Sequence, residues 1–100
     1  MKKVFISQPM RGKTDEEILK EREKLANVAK AYAGEDVEVL DTFFKDFNGN
    51  ALEYLGKSIS MLAQADFAVF GEGCTGARGC RVEYEACVQY GIPVMFIHKM

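Results

Sequence analysis

The chain changes its hydrophobic period repeatedly over a short length, and that alternation leaves few folds open. Val4-Phe5-Ile6 is a β-branched and aromatic run stopped by Gln8-Pro9-Met10-Arg11-Gly12, the pattern of a buried strand running into a loop. Thr14-Asp15-Glu16-Glu17 has the form of a capping box, with Thr14 accepting from the Glu17 amide and Glu17 reaching back. Ile18, Leu25, Ala29 and Tyr32 follow at helical spacing, and Gly34 stands where a left-handed cap belongs. Val37 to Leu40 reads as a second strand, and it opens into a long loop holding Phe43, Phe44 and Phe47. Asn50 and Glu53 cap a second helix whose expected apolar stripe is Leu52, Leu55, Ile59 and Leu62. Phe67 to Phe70 is continuously apolar, as expected of a strand covered on both faces. Gly71 to Gly79 then holds four glycines in nine residues. A third helix is expected from about Cys80 to Tyr90, ended by Gly91, and Pro93 to Ile97 is the last strand.

Strands alternating with helices imply right-handed βαβ units and a mostly parallel sheet. Four strands and three main helices predict a single α/β domain over residues 1–100. It is a small flavodoxin-like three-layer sandwich with strand order 2-1-3-4. No internal repeat or interdomain linker interrupts it. In such sheets a ligand sits beyond the carboxyl ends of the strands, where strand order reverses. Here that point lies between the first and third strands, so the two loops meeting there are residues 7–13 and 71–79.

Composition narrows the function classes. Thirteen Lys and Arg against fifteen Asp and Glu give a net charge of −2, which argues against a surface for polymeric nucleic acid. Three cysteines and one histidine form neither a disulfide framework nor a four-ligand zinc site. The apolar run at the amino terminus is too short for a signal-peptide core, and nothing approaches the ~20 apolar residues of a membrane span. A cytoplasmic protein is expected, with no membrane partner, no metal and no cofactor.

The two loops carry the chemistry. The first offers Ser7, Gln8, Pro9, Met10, Arg11, Gly12 and Lys13; the second offers Thr75, Gly76, Arg78 and Gly79, with Arg81 just beyond. Arg11 and Arg78 should converge on one crevice, beside a helix amino terminus whose free N–H groups and nearby glycines suit a phosphate or carboxylate. Glu83 is placed in the first turn of the third helix, where the helix dipole, Arg78 and Arg81 should favour its ionised form. Such a carboxylate is either a nucleophile towards a sugar anomeric carbon or ordinary dipole complementation. Glu85 lies about 200° further round the helix and should face away. Phe43, Phe44 and Phe47 suit either stacking on a nucleobase or packing on the second helix or a dimer contact. Cys80 and Cys87 share a helix face and read as buried structural thiols. Cys74 stands near a helix amino terminus, which lowers a thiol pKa, but no convincing histidine partner accompanies it. His98 reads as solvated or capping.

Val4-Phe5-Ile6-Ser7-Gln8-Pro9-Met10-Arg11-Gly12, Ala65-Asp66-Phe67-Ala68-Val69-Phe70 and Gly79-Cys80-Arg81-Val82-Glu83 occur in this order, with Ala86, Gly91, Pro93 and Val94 keeping the spacing that follows. In this arrangement the chain resembles the nucleoside deoxyribosyltransferase family. The resemblance implies that Glu83 is the nucleophile, attacking the anomeric carbon of a deoxynucleoside and expelling its base. The sugar then passes to another base or to water. Met10-Arg11-Gly12-Lys13 is similar to the branch that hydrolyses deoxynucleoside monophosphates, where this loop helps to hold the phosphate. The substrate-binding residues then expected are Ser7, Gln8, Pro9, Met10, Arg11, Gly12, Asp41, Gly76, Arg78 and Gly79. Where relatives carry an aspartate on the second helix, this chain has Ser58; Asp41 or Asp46 is a candidate substitute.

The expected partner is a small nucleoside or nucleotide. A non-catalytic nucleotide-binding or sensing module of the same fold is the alternative, motivated by Ser58. TIR-like domains share the fold class and cleave NAD with a glutamate, but they lack the Gly-x-x-x-Glu spacing and rank last. Two short loops make thin walls for a crevice, so a second subunit, in a homodimer or larger homo-oligomer, is expected to close it.

Overall fold

In a computed structural model, residues 1–44 and 47–97 are described. Strand β1 (Lys2–Ser7) leads to helix α1 (Asp15–Ala33), β2 (Val37–Val39) to α2 (Ala51–Leu62), and β3 (Phe67–Phe70) to α3 (Arg78–Tyr90). The last strand is β4 (Val94–Phe96). All three strand pairings are parallel, in the order β2-β1-β3-β4. The expected α/β sandwich is present, and its sheet is wholly parallel. Each parallel pair needs a crossover, and the three helices supply it.

The pleat of β1 and β3 divides the core. Val4, Ile6, Phe67 and Val69 point to one face, where they pack with Leu25 and Ala29 of α1. Phe5, Ala68 and Phe70 point to the other, where they meet Leu62, Cys80 and Cys87 of α2 and α3. Alternate residues of a strand face opposite sides, so a continuously apolar strand is what two covered faces require. Cys80 and Cys87 are buried thiols, as their spacing indicates.

Helix starts follow the sequence signals with one exception. Thr14 and Asn50 each accept from the backbone N–H three residues on, and Glu17 and Glu53 return the contact, forming two complete capping boxes. Helix α3 begins two residues before the expected Cys80, from Ala77, and no side chain caps it. A three-residue 3-10 turn at Cys74–Gly76 feeds into it. Gly73 holds φ +85° at the entrance to that turn, a conformation that suits glycine.

Other boundaries and faces also differ from expectation. Strand β1 is longer than Val4–Ile6, whereas the last strand is shorter than Pro93–Ile97. Leu40 lies just beyond β2, yet its N–H still bonds to the Val4 carbonyl at 2.9 Å. Leu52 is 74% exposed at the start of α2, because the apolar face meets the core only further along the helix. Tyr32 is also exposed, although its ring still reaches Phe67 with centroids 5.3 Å apart. Its place in the buried stripe is taken by Arg22, four residues after Ile18 and three before Leu25. No helix among the described residues is long and apolar enough to cross a membrane.

Candidate functional site

Ser7 is the last residue of β1, next to β3 in the sheet, so its side chain emerges where strand order reverses. Its hydroxyl donates to Glu83 Oε1 at 2.6 Å, and both residues are buried. Glu83 is the sixth residue of α3, hence in the second turn and not the first, because the helix starts earlier than its sequence suggests. That shift carries the carboxyl away from the helix end and into the protein. Its face is the one that buries Cys80 and Cys87.

Burial raises the Glu83 pKa from its ordinary 4.5 to about 7. The opposing influences are the Ser7 hydroxyl, the positive charge of Arg22 and the Ser58 hydroxyl. The expectation that the helix dipole, Arg78 and Arg81 hold the group ionised is therefore overturned. Desolvation penalises the charged form, and the arginine that opposes it is Arg22. Arg81 is exposed and lines a different pocket, with Tyr84 and Glu85. Glu85 itself is exposed, as expected.

A crevice of about 650 Å³ opens over this pair, within the range of small-molecule sites. Ser7, Gln8, Pro9, Met10 and Arg11 line one side, and Gly76, Arg78, Gly79 and Glu83 the other. Arg11 and Arg78 are both exposed, so the two cations meet one crevice from its rim. A Cβ at Gly76 would meet nothing within 4 Å, and one at Gly79 only Leu55, at 3.9 Å. These two glycines leave room in the crevice instead of relieving a packing clash. Ser58, which the sequence places where an aspartate is expected, lines the crevice next to Glu83. Among the described residues Glu83 is the only carboxyl lining it.

Two expected residues are placed elsewhere. Gly12 is not on the crevice; it turns the β1–α1 loop with φ +80°. Asp41 is exposed, accepts the Phe43 N–H at 3.1 Å and lines a neighbouring cavity. Lys13 ion-pairs with Glu21 at 3.3 Å. Asp46 and His98 lie outside the described residues.

Gln8 is pinned by its amide N–H groups, which donate to the Ile18 carbonyl at 3.1 Å and to Glu21 at 2.8 Å. Its Oε1 is buried without a partner among the described residues. A buried amide oxygen left open in a crevice wall is an acceptor ready for a ligand hydroxyl or N–H. Beneath the floor, Cys74 Sγ contacts the Ser7 carbonyl at 3.2 Å and Cys80 Sγ at 3.0 Å. The Cys74 thiol is pushed up by its contact with Cys80 and by burial, not lowered by a helix end. That removes the basis for Cys74 as a thiol nucleophile.

Arg22 is the charged residue that reading the sequence overlooked. It is 9% exposed, and its Nη2 donates to Thr42 Oγ1 at 2.8 Å. The available signal was its position: a charge within the apolar stripe of an amphipathic helix is either paired or functional. The three phenylalanines all line the neighbouring cavity, and two of them also make other contacts. Phe47 stands edge-on to Tyr54 of α2, with ring centroids 4.9 Å apart, while Phe44 lines both the crevice and the neighbouring cavity. Among the described residues no group of three or more His, Cys, Asp or Glu side chains gathers to hold a metal.

Scanned against protein-family models, the chain matches none, and a search of curated proteins finds no match.

Proposed function

We propose that the protein cleaves or transfers the N-glycosidic bond of a deoxynucleoside or its monophosphate, through Glu83, as a member of the nucleoside deoxyribosyltransferase-like group. The observation that carries this reading is the buried Glu83 carboxyl, bonded to Ser7 on the floor of a crevice rimmed by two arginines. In its ionised form the carboxylate attacks the anomeric carbon. The C–N bond breaks, its electron pair leaves with the base, and a glycosyl ester joins sugar to Glu83. A second base or water then attacks that carbon, the ester C–O bond breaks to restore the carboxylate, and the proton given up by the incoming nucleophile ends on the departed base through solvent. Ser7 steadies the carboxylate before attack and after release, and Arg11 and Arg78 suit a phosphate. With a pKa of about 7, Glu83 is only partly ionised at neutral pH. Turnover at limiting substrate should therefore climb as pH rises through 7.

A panel of deoxynucleosides and deoxynucleoside monophosphates, followed by chromatography of the released base, tests the assignment. Release that Glu83→Gln abolishes, by on the order of a thousandfold or more, is expected. No release from any substrate, or release undiminished by the substitution, overturns it.

Ser58 favours a second reading, a nucleotide-binding module without turnover. A hydroxyl is too weak an acid to protonate a leaving base as a carboxylic acid does, and the crevice has no second carboxyl among the described residues. Thermal stabilisation by nucleotides with no cleavage supports that reading. We propose further that a homo-oligomer closes the crevice, in keeping with the exposed Val82 and Tyr90 beside a shallow groove on α3. Sedimentation as a strict monomer overturns this.

A further inference from the structure

Beside the crevice, between α1 and the β2–α2 connection, lies a separate cavity of about 720 Å³. Its walls include Arg22, Asp41, Phe43, Phe44, Phe47 and Lys57. Arg22 enters from the buried face of α1 and spends one nitrogen on Thr42. Its Nε and Nη1 are buried with no hydrogen-bond partner among the described residues. Buried donors of a charged group are costly to leave open, and this guanidinium cannot lose its proton to escape the cost. The Lys57 ammonium stands over the Phe44 and Phe47 rings, 5.1 and 4.7 Å from their centroids. Among the described residues lining this cavity, Arg22 and Lys57 are the cations and Asp41 is the carboxylate.

We propose that this cavity is a second small-molecule site, taking a flat aromatic monoanion such as an aryl carboxylate. The phenyl rings receive the flat face of the ligand, and its carboxylate accepts from the open Arg22 donors while lying near Lys57. A planar guanidinium suits a carboxylate's geometry. Asp41 disfavours a dianion, because its carboxylate lies in the same wall as the two cations. The site stands independently of the chemistry assigned to Glu83, because binding here needs no turnover.

Benzoate titrated into the full chain at neutral pH, followed by methyl NMR, tests the proposal. Benzyl alcohol and acetate each lack one recognised feature, and phenyl phosphate carries the additional charge. Saturable benzoate binding that shifts the Leu19 methyls is expected, because Leu19 lines this cavity whereas Leu55 lines the crevice. Benzyl alcohol, acetate and phenyl phosphate should each bind about tenfold more weakly, as should benzoate to Arg22→Lys, which keeps a charge but loses the planar donors. Lys57 is exposed, so Lys57→Gln retains the fold and should weaken benzoate severalfold. Absence of saturable binding overturns the proposal. So do shifts confined to Leu55, or affinity unchanged in both Arg22→Lys and Lys57→Gln.

Discussion

Helices α1 and α3 flank the sheet from opposite faces, and each buries one charged residue in an otherwise apolar stripe. Arg22 does so on α1 and Glu83 on α3. Their handling differs. Burial lowers the Arg22 pKa, but Asp41 and Glu83 work against the shift, and a guanidinium stays protonated in any case. Burial lifts Glu83 to about 7, within reach of ordinary solution pH. Helix α1 thus contributes a permanent positive charge to the end of the sheet, and α3 contributes a proton that comes and goes. The helix starts differ in the same sense. Helix α1 opens with a complete capping box, whereas α3 opens uncapped where Arg78 and Gly79 line the crevice. The α1 start is closed by its own side chains, and the α3 start at the crevice carries no side-chain cap.

The largest test of this contrast lies in the pH dependence of stability. Between about pH 4.5 and 7 the folded chain holds a proton on Glu83 that the unfolded chain has released. The stability contributed by this group is therefore fully present below about pH 4.5 and is lost as pH rises through 7. At pH 8 Glu83→Gln should be more stable than the native chain by up to about 3 kcal/mol, with the difference vanishing near pH 4. Urea unfolding at the two pH values measures it. An equal difference at both would break the link between burial and titration.

Removing the permanent charge should move the titratable one. Arg22 favours the Glu83 carboxylate, so in Arg22→Met the titration midpoint of Glu83 should rise above 7. Carbon-13 chemical shifts of the carboxyl follow this directly. A midpoint that stays still or falls would show the two buried charges to be uncoupled.

The smallest effects sharpen the contrast between helix starts. Thr14→Ala should cost about 1 kcal/mol of unfolding free energy, the usual worth of a side-chain cap. Ala77→Ser, which offers α3 the cap it lacks, should add about 0.5 kcal/mol and weaken nucleotide binding by competing for the free N–H groups. Stabilisation with no loss of binding would detach the open helix end from the ligand.

Much of this molecule is legible from local pattern. Thr14 with Glu17 and Asn50 with Glu53 mark two helix starts, because a capping box is a contact within a few residues. Val4 to Ile6 and Phe67 to Phe70 mark the central strands, and the glycine loop marks the sheet end where the crevice opens. Helix α3 is less legible, since it starts from Ala77 with no cap signal, and a start set two residues late places Glu83 in the wrong turn. The direction of the Glu83 shift is illegible for a related reason. Desolvation depends on everything packed around a group, and no spacing in the sequence reports it.

By itself the sequence determined the alternation of strands and helices, the apolar runs of the central strands and the sheet end at which two loops meet. Those follow from period, capping and turn chemistry, which act over a few residues. Only the tertiary structure decided that Ser7 and Glu83, 76 residues apart, share a hydrogen bond. It also decided that Arg22 from the opposite face supplies the neighbouring charge, that Ser58 reaches the same crevice, and that Arg81 and Asp41 do not. Each of those outcomes depends on which helix covers which face of the sheet and on how much water the packing excludes. Those are properties of the assembled layers, so the residues most intimate with the site are fixed by neighbours distant in the chain.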